Sequence, residues 1–180
     1  FKVGDDEVGQ WAMHRLDGSA PADAARYQRH ARDAEPDPAL ADVPTRDRVY
    51  TALLAACPLS AEHREGLLAR GLSVDEIAAR GYGTLPLGAG PRARIVAQVR
   101  GLLVLLGAEA IPEGVPGLHE GRLPEGLAGT LVPVRDAAGA IIAMKVRRDG
   151  ARDPRYLWLS SKGTGGASSH SPAHVPAGAE

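Results

Sequence analysis

Six basic side chains stand close together near the end of this chain: Lys145, Arg147, Arg148, Arg152, Arg155 and Lys162. Between Ala143 and Lys162 only Asp149 and Asp153 oppose them, so this window carries +4 while the whole chain carries −1. Cations two apart on an extended strand stand roughly 7 Å from one another on one face. Ammonium and guanidinium groups in such a row hold a polyanion through backbone contacts rather than by reading bases. A basic edge on an otherwise acidic body attracts phosphate where the cations lie and discourages it elsewhere. A solvated strand edge made soluble by its charges is the plain alternative.

Other chemistry-bearing residues are weaker candidates. Asp5-Asp6-Glu7 is the densest acidic cluster, but acids gather at a helix start for electrostatic reasons. His170 and His174 stand four apart in a Ser/Pro/Ala stretch with no further ligands in range, so no metal site is assigned. Cys57 has no His and acid at a recognisable spacing and reads as a small apolar residue. Ser160 to Gly166 is rich in backbone donors yet lacks the spacing of a phosphate-binding loop. No catalytic residue is assigned.

The elements that position the basic row follow from local signals. Thr130–Arg135 is a β-branched run, Asp136-Ala-Ala-Gly139 has the makeup of a type I turn closing on a glycine, and Ala140–Arg148 returns as a second strand. Alternation places Ile142, Met144 and Val146 inward and Lys145 and Arg147 outward. Tyr156–Leu159 is a third run beyond a turn, bringing Arg152 and Arg155 beside the same edge. Tyr156 and Trp158 either pack in the core or stack on an exposed base.

Upstream, the chain is helical in pattern. Asp5–Leu16 spaces Val8, Trp11, Ala12 and Leu16 as a helix, Pro21 opens a polar second helix to about Arg32, and Ala34–Pro44 is a Pro/acidic linker. Three short helices follow: Thr45 as a cap for a run to Cys57, a second from Ser60 to Leu68, and a third opened by the capping box Ser73–Glu76 and closed by Gly81. Tyr82–Gly90 is a loop with a short extended piece, and Pro91–Leu106 is a longer helix with Ile95, Val99, Leu102, Leu103 and Leu106 inward and Arg92, Arg94 and Arg100 elsewhere. Beyond Lys162 the chain turns to Gly, Ser, Ala and Pro, the composition of a flexible tail.

The 180 residues are 44% hydrophobic and 24% charged, which fits a globular domain with trimmings. One cysteine excludes an internal disulfide framework, and the longest apolar run is too short for a bilayer. With no signal peptide in view, a cytoplasmic location and no membrane partner are expected. Starting at Phe1, the sequence reads as a piece of a longer polypeptide.

The order of these motifs resembles the N-terminal subdomain of the DnaG-type primase catalytic core, and more closely its divergent relatives in phage, plasmid and integrative elements. That family has a "fPirD..G.vigfggR" strand pair followed by "pKYlNS". Here Val132-Pro-Val-Arg-Asp136, Gly139-Ala-Ile-Ile142 and Arg147 stand for the first and Pro154-Arg-Tyr-Leu157 for the second, with the register unbroken from Gly139 to Leu157. Arg70-Gly-Leu-Ser and Gly81-Tyr-Gly match the helical signature "rGis...lGya". Departures are Lys145-Val146 at the family's Gly-Gly pair, Arg155 for its lysine, and Ser160 and Ser161 slightly later than its Asn-Ser.

The resemblance implies an α+β fold, a helical block followed by a small antiparallel sheet built on a hairpin, with residues 1–44 as extension and linker, 45–162 as the primase-like domain and 163–180 as a flexible tail. It implies a DNA-replication role, with single-stranded DNA or an RNA–DNA hybrid held by Arg147 and Arg155, to which the reading of charge and facing adds Lys145, Arg148, Arg152, Tyr156 and Lys162. It also implies a Toprim module of the same polypeptide, using Mg or Mn, as the seat of nucleotidyl transfer. No cofactor is expected in this chain, which by itself would be inactive. A non-catalytic protein-interaction module docking an acidic partner, such as a helicase, through the same hairpin is the competing reading.

Overall fold

The structure is a computed structural model and describes residues 2–6, 9–13, 39–150 and 153–175. The chain divides after Asp37 into two units. In the first, Lys2–Asp6 (β1) and Gly9–Met13 (β2) pair antiparallel with Gly4 opposite Trp11. This corrects the helix expected over Asp5–Leu16. Gly9 costs a helix about 1 kcal/mol against alanine, and the apolar spacing of so short a segment does not separate the two periods. The expected helix from Pro21 to Arg32 lies outside the described residues.

The second unit opens with Val43–Ala56 (α1), Ala61–Leu68 (α2), Val74–Arg80 (α3) and Ala89–Leu105 (α4). The joints are held by side chains. Asp42, not Thr45, caps α1, its carboxylate accepting from the Thr45 amide at 2.9 Å, and hydrogen bonding by the Thr45 side chain, with that amide, holds the Asp42 carboxyl below its usual pKa. Val43 and Pro44, expected in the linker, form the first turn, where proline's missing N–H costs nothing. Ser60 caps α2 through the His63 amide at 3.2 Å. The capping box at α3 is complete: the Glu76 amide donates to Ser73 Oγ at 3.2 Å and the Ser73 amide donates back to Glu76 Oε2 at 2.8 Å.

Helix α4 departs from expectation on its inner side. Arg92 is buried beside Ile95, Val96, Val99 and Leu103, whereas Leu106 just past the helix is exposed. Three backbone carbonyls account for the buried arginine: Nε donates to Pro86 O at 3.1 Å, and its two terminal nitrogens donate to Pro124 O and Leu127 O. A planar guanidinium with several fixed donors can satisfy three loop carbonyls at once.

The sheet runs β3-β4-β5-β6, all antiparallel, from Gly83–Leu85 (β3), Gly129–Arg135 (β4), Ile141–Arg148 (β5) and Tyr156–Trp158 (β6). The β4–β5 turn is as its residues predict. Asp136 Oδ1 accepts from the amides of Ala138 and Ala140, and Gly139 takes φ +85°. Helix α1 packs on β5 and α4 on α1. Tyr50, Leu53, Val99, Leu103, Leu131, Met144, Val146 and Leu159 are fully buried between them. Burial pushes the Tyr50 hydroxyl pKa up, and that hydroxyl donates to Pro116 O at 2.9 Å. An α+β domain, helices followed by a small antiparallel sheet, is thus the observed class.

Residues 163–175, expected as a loose tail, are laid against the domain. Gly166, Ala167 and Ser169 are buried, and the Val175 amide donates to Arg135 O at 2.9 Å. That bond uses the stretch of β4 that the short β3 does not reach.

Gly129 opens β4 opposite Arg148 of β5. It has φ +141°, and a Cβ there would sit 2.0 Å from Arg147 O. Gly129→Ala is therefore expected to cost about 2–4 kcal/mol, since neither strain nor a backbone clash relaxes cheaply. A urea midpoint equal to wild type would refute this.

Candidate nucleic-acid interface

Strand register decides which cations act together. Directly opposed residues in neighbouring strands share a face. Thr84, Thr130, Arg147 and Tyr156 thus form one row across all four strands, and Val132, Lys145 and Trp158 the next row on that face. Leu131, Val146 and Leu157 form the opposite face, which meets the helical core.

On the first face, Lys145 places its ammonium 4.3 Å from the centre of the Trp158 ring, a cation–π contact across the strand pair. Trp158 is half-buried and Tyr156 is 46% exposed, so neither is a core residue. Arg147 is half-buried, with Nε shielded from solvent and no hydrogen-bond partner among the described residues. A desolvated donor without an acceptor is costly, and an incoming anion would relieve it.

Helix α2 closes this face at one corner. His63 Nδ1 lies 2.9 Å from Thr84 Oγ1, and its Nε2 lies 2.8 Å from Asp149 Oδ1 at the end of β5. The result is a cleft of ≈ 300 Å³ lined by Glu62, His63, Arg70, Thr130, Arg147 and Asp149, among others. Two arginines, Arg70 just past α2 and Arg147 on β5, are among the lining residues. Sequence reading registers Arg70 only within a motif and passes over His63. No local signal marks His63, because its partners are 21 and 86 residues away.

The remaining expected residues fall elsewhere. Arg155 does not join Arg147. Its carbonyl accepts from the Arg148 amide at 2.9 Å, one place on from the Arg147–Tyr156 pair, which turns Arg155 and Arg148 to the other face. Lys145 and Arg147, which alternation puts on one face, share it, while Arg155, expected beside the same edge, pairs with Arg148 on the other side of the sheet. Arg148 is half-buried and donates to Pro154 O at 3.3 Å, while Arg155 is exposed. Lys162 is exposed on the 3-10 turn Lys162–Thr164, past β6. Arg152 lies outside the described residues.

Among the described residues no three His, Cys, Asp or Glu side chains are grouped to hold a metal ion, and no helix is long and apolar enough to cross a membrane. His174 Nδ1 instead accepts from the Arg135 amide at 3.1 Å. Cys57 is buried, which pushes its thiol up to about 12. At pH 8 the thiolate is then about one part in ten thousand, so a maleimide or disulfide reagent should label Cys57 only after denaturation. Rapid labelling of the native protein would contradict that placement.

No family model and no curated protein matches this chain. Among solved structures, it is similar to the DnaG primase catalytic domain bound to single-stranded DNA, at 20% identity and a TM-score of 0.38. The likeness covers 65% of this chain and 40% of that one, so the chain spans less than half of that structure's length.

Proposed function

We propose that the second unit is the template-gripping part of a primase-like replication protein, holding single-stranded DNA on the sheet face that carries Lys145 and Arg147. The observation that carries this reading is the pair of guanidiniums, Arg70 and Arg147, facing one cleft without an internal partner for the buried Nε, beside Lys145 and an exposed Tyr156. Guanidinium binds phosphate through two parallel N–H donors, and a tyrosine ring gives a base something to stack on. The motif register from Gly139 to Leu157 supports the same reading. Nucleotidyl transfer, with its Mg or Mn, belongs in this proposal to a Toprim module of the same polypeptide, and a helicase is a further expected partner.

The test is a titration of labelled oligothymidylate at 50 and 200 mM salt. Three phosphate contacts on a single strand predict a log–log salt slope near −2, a loss on the order of 20-fold between those conditions. Absence of binding, or binding that ignores salt, would sink the proposal.

A further inference from the structure

The cleft beneath α2 is less cationic than its arginines suggest. Arg70 and Arg147 are set against Glu62 and Asp149, so with a neutral His63 its charged lining cancels. A protonated His63 would give the cleft a net positive charge.

The imidazole is built to take that proton. Its side chain is only 12% exposed, and both ring nitrogens are engaged. An ionised carboxylate only accepts, so Asp149 fixes a proton on Nε2 in either state. Nδ1 faces a hydroxyl, which can donate or accept. In the neutral ring Thr84 donates to Nδ1, while Thr84 Oγ1 accepts from the Ser60 amide at 2.8 Å. In the imidazolium Nδ1–H donates to Thr84 Oγ1 instead, with no movement of the backbone. Neither state leaves a ring nitrogen unpaired.

Asp149 meets the ring at Nε2, and Glu62, Arg147 from β5 and Arg70 after α2 line the same cleft. A phosphate taken up there adds negative charge beside His63, and an added negative charge favours the imidazolium.

We propose that His63 is the third cation of this site, taking up a proton as a phosphodiester enters the cleft and so making the grip tighten as pH falls. It touches α2, β3 and the end of β5 and acts through its charge and its hold on Asp149. The inference rests on the single-strand reading above.

Oligothymidylate is a suitable probe, because neither its bases nor its diester phosphates titrate between pH 5.5 and 8. Wild-type affinity should rise three- to tenfold for each unit that pH falls through the imidazole range. His63→Gln, neutral throughout, should give a flat profile. Calorimetry of wild type in buffers of different ionisation enthalpy should show net proton uptake on strand binding, independently of how the variant folds. Binding by wild type with no proton uptake, or a His63→Gln profile as steep as wild type, would overturn this inference and leave the single-strand reading standing. Failure of wild type to bind at any pH would remove both.

Discussion

Replacing Arg92 by methionine should lower the stability of the second unit by about 3–5 kcal/mol, a fall in Tm on the order of 10–15 °C. The apolar stem of methionine fills much of the same volume but donates nothing. Pro86 O, Pro124 O and Leu127 O would each lose a charge-assisted donor at a site only 4% exposed. A buried acceptor left unpaired costs about 1–3 kcal/mol, and three are at stake, less whatever water can reach. Arg92→Lys should fall between, since one ammonium cannot span all three carbonyls. Burial already pulls the Arg92 guanidinium below its usual pKa, with Glu125 opposing, so the site bears a desolvation cost that its hydrogen bonds offset. Thermal melts of both variants decide the matter: a Met variant within 2–3 °C of wild type would mean that the loops at Pro86 and at Pro124–Leu127 are held by something else.

Arg92 also marks a limit of what the chain discloses when read in order. Its charge puts it outside any apolar stripe, and the carbonyls that justify its burial lie up to 35 residues away. Elements closed by neighbours are legible instead. The capping box Ser73–Glu76, the turn at Asp136–Gly139 and the inward Met144 and Val146 all depend on residues within a few positions. Facing across a turn is another matter. Whether Arg155 shares a side with Arg147 depends on which residue of β6 lies opposite Arg147, and shifting that pairing by one place reverses every side chain. Composition sees the cations; only the register separates them. The N-terminal strand pair fails for a third reason, since a few apolar residues around Gly9 fit either period.

The same register yields a sharp mutational contrast. Lys145→Ala/Arg147→Ala should weaken single-strand binding about 30- to 160-fold at 50 mM salt, taking each lost contact as roughly 1–1.5 kcal/mol at a half-exposed site. The salt slope should flatten by about 1.4, the share of two single-strand phosphate contacts. Arg155→Ala removes the same charge as Arg147→Ala from a neighbouring strand, so long-range attraction alone would penalise the two alike. Local contact would not, because the Arg147–Tyr156 pairing turns Arg155 away with Arg148. Arg155→Ala is therefore expected to stay within about threefold of wild type, the residue of screened attraction across roughly one Debye length. Equal losses from Arg147→Ala and Arg155→Ala would mean that the strand is held by diffuse charge over the whole edge, and the face bearing Lys145, Arg147 and Tyr156 would lose its claim to be the groove.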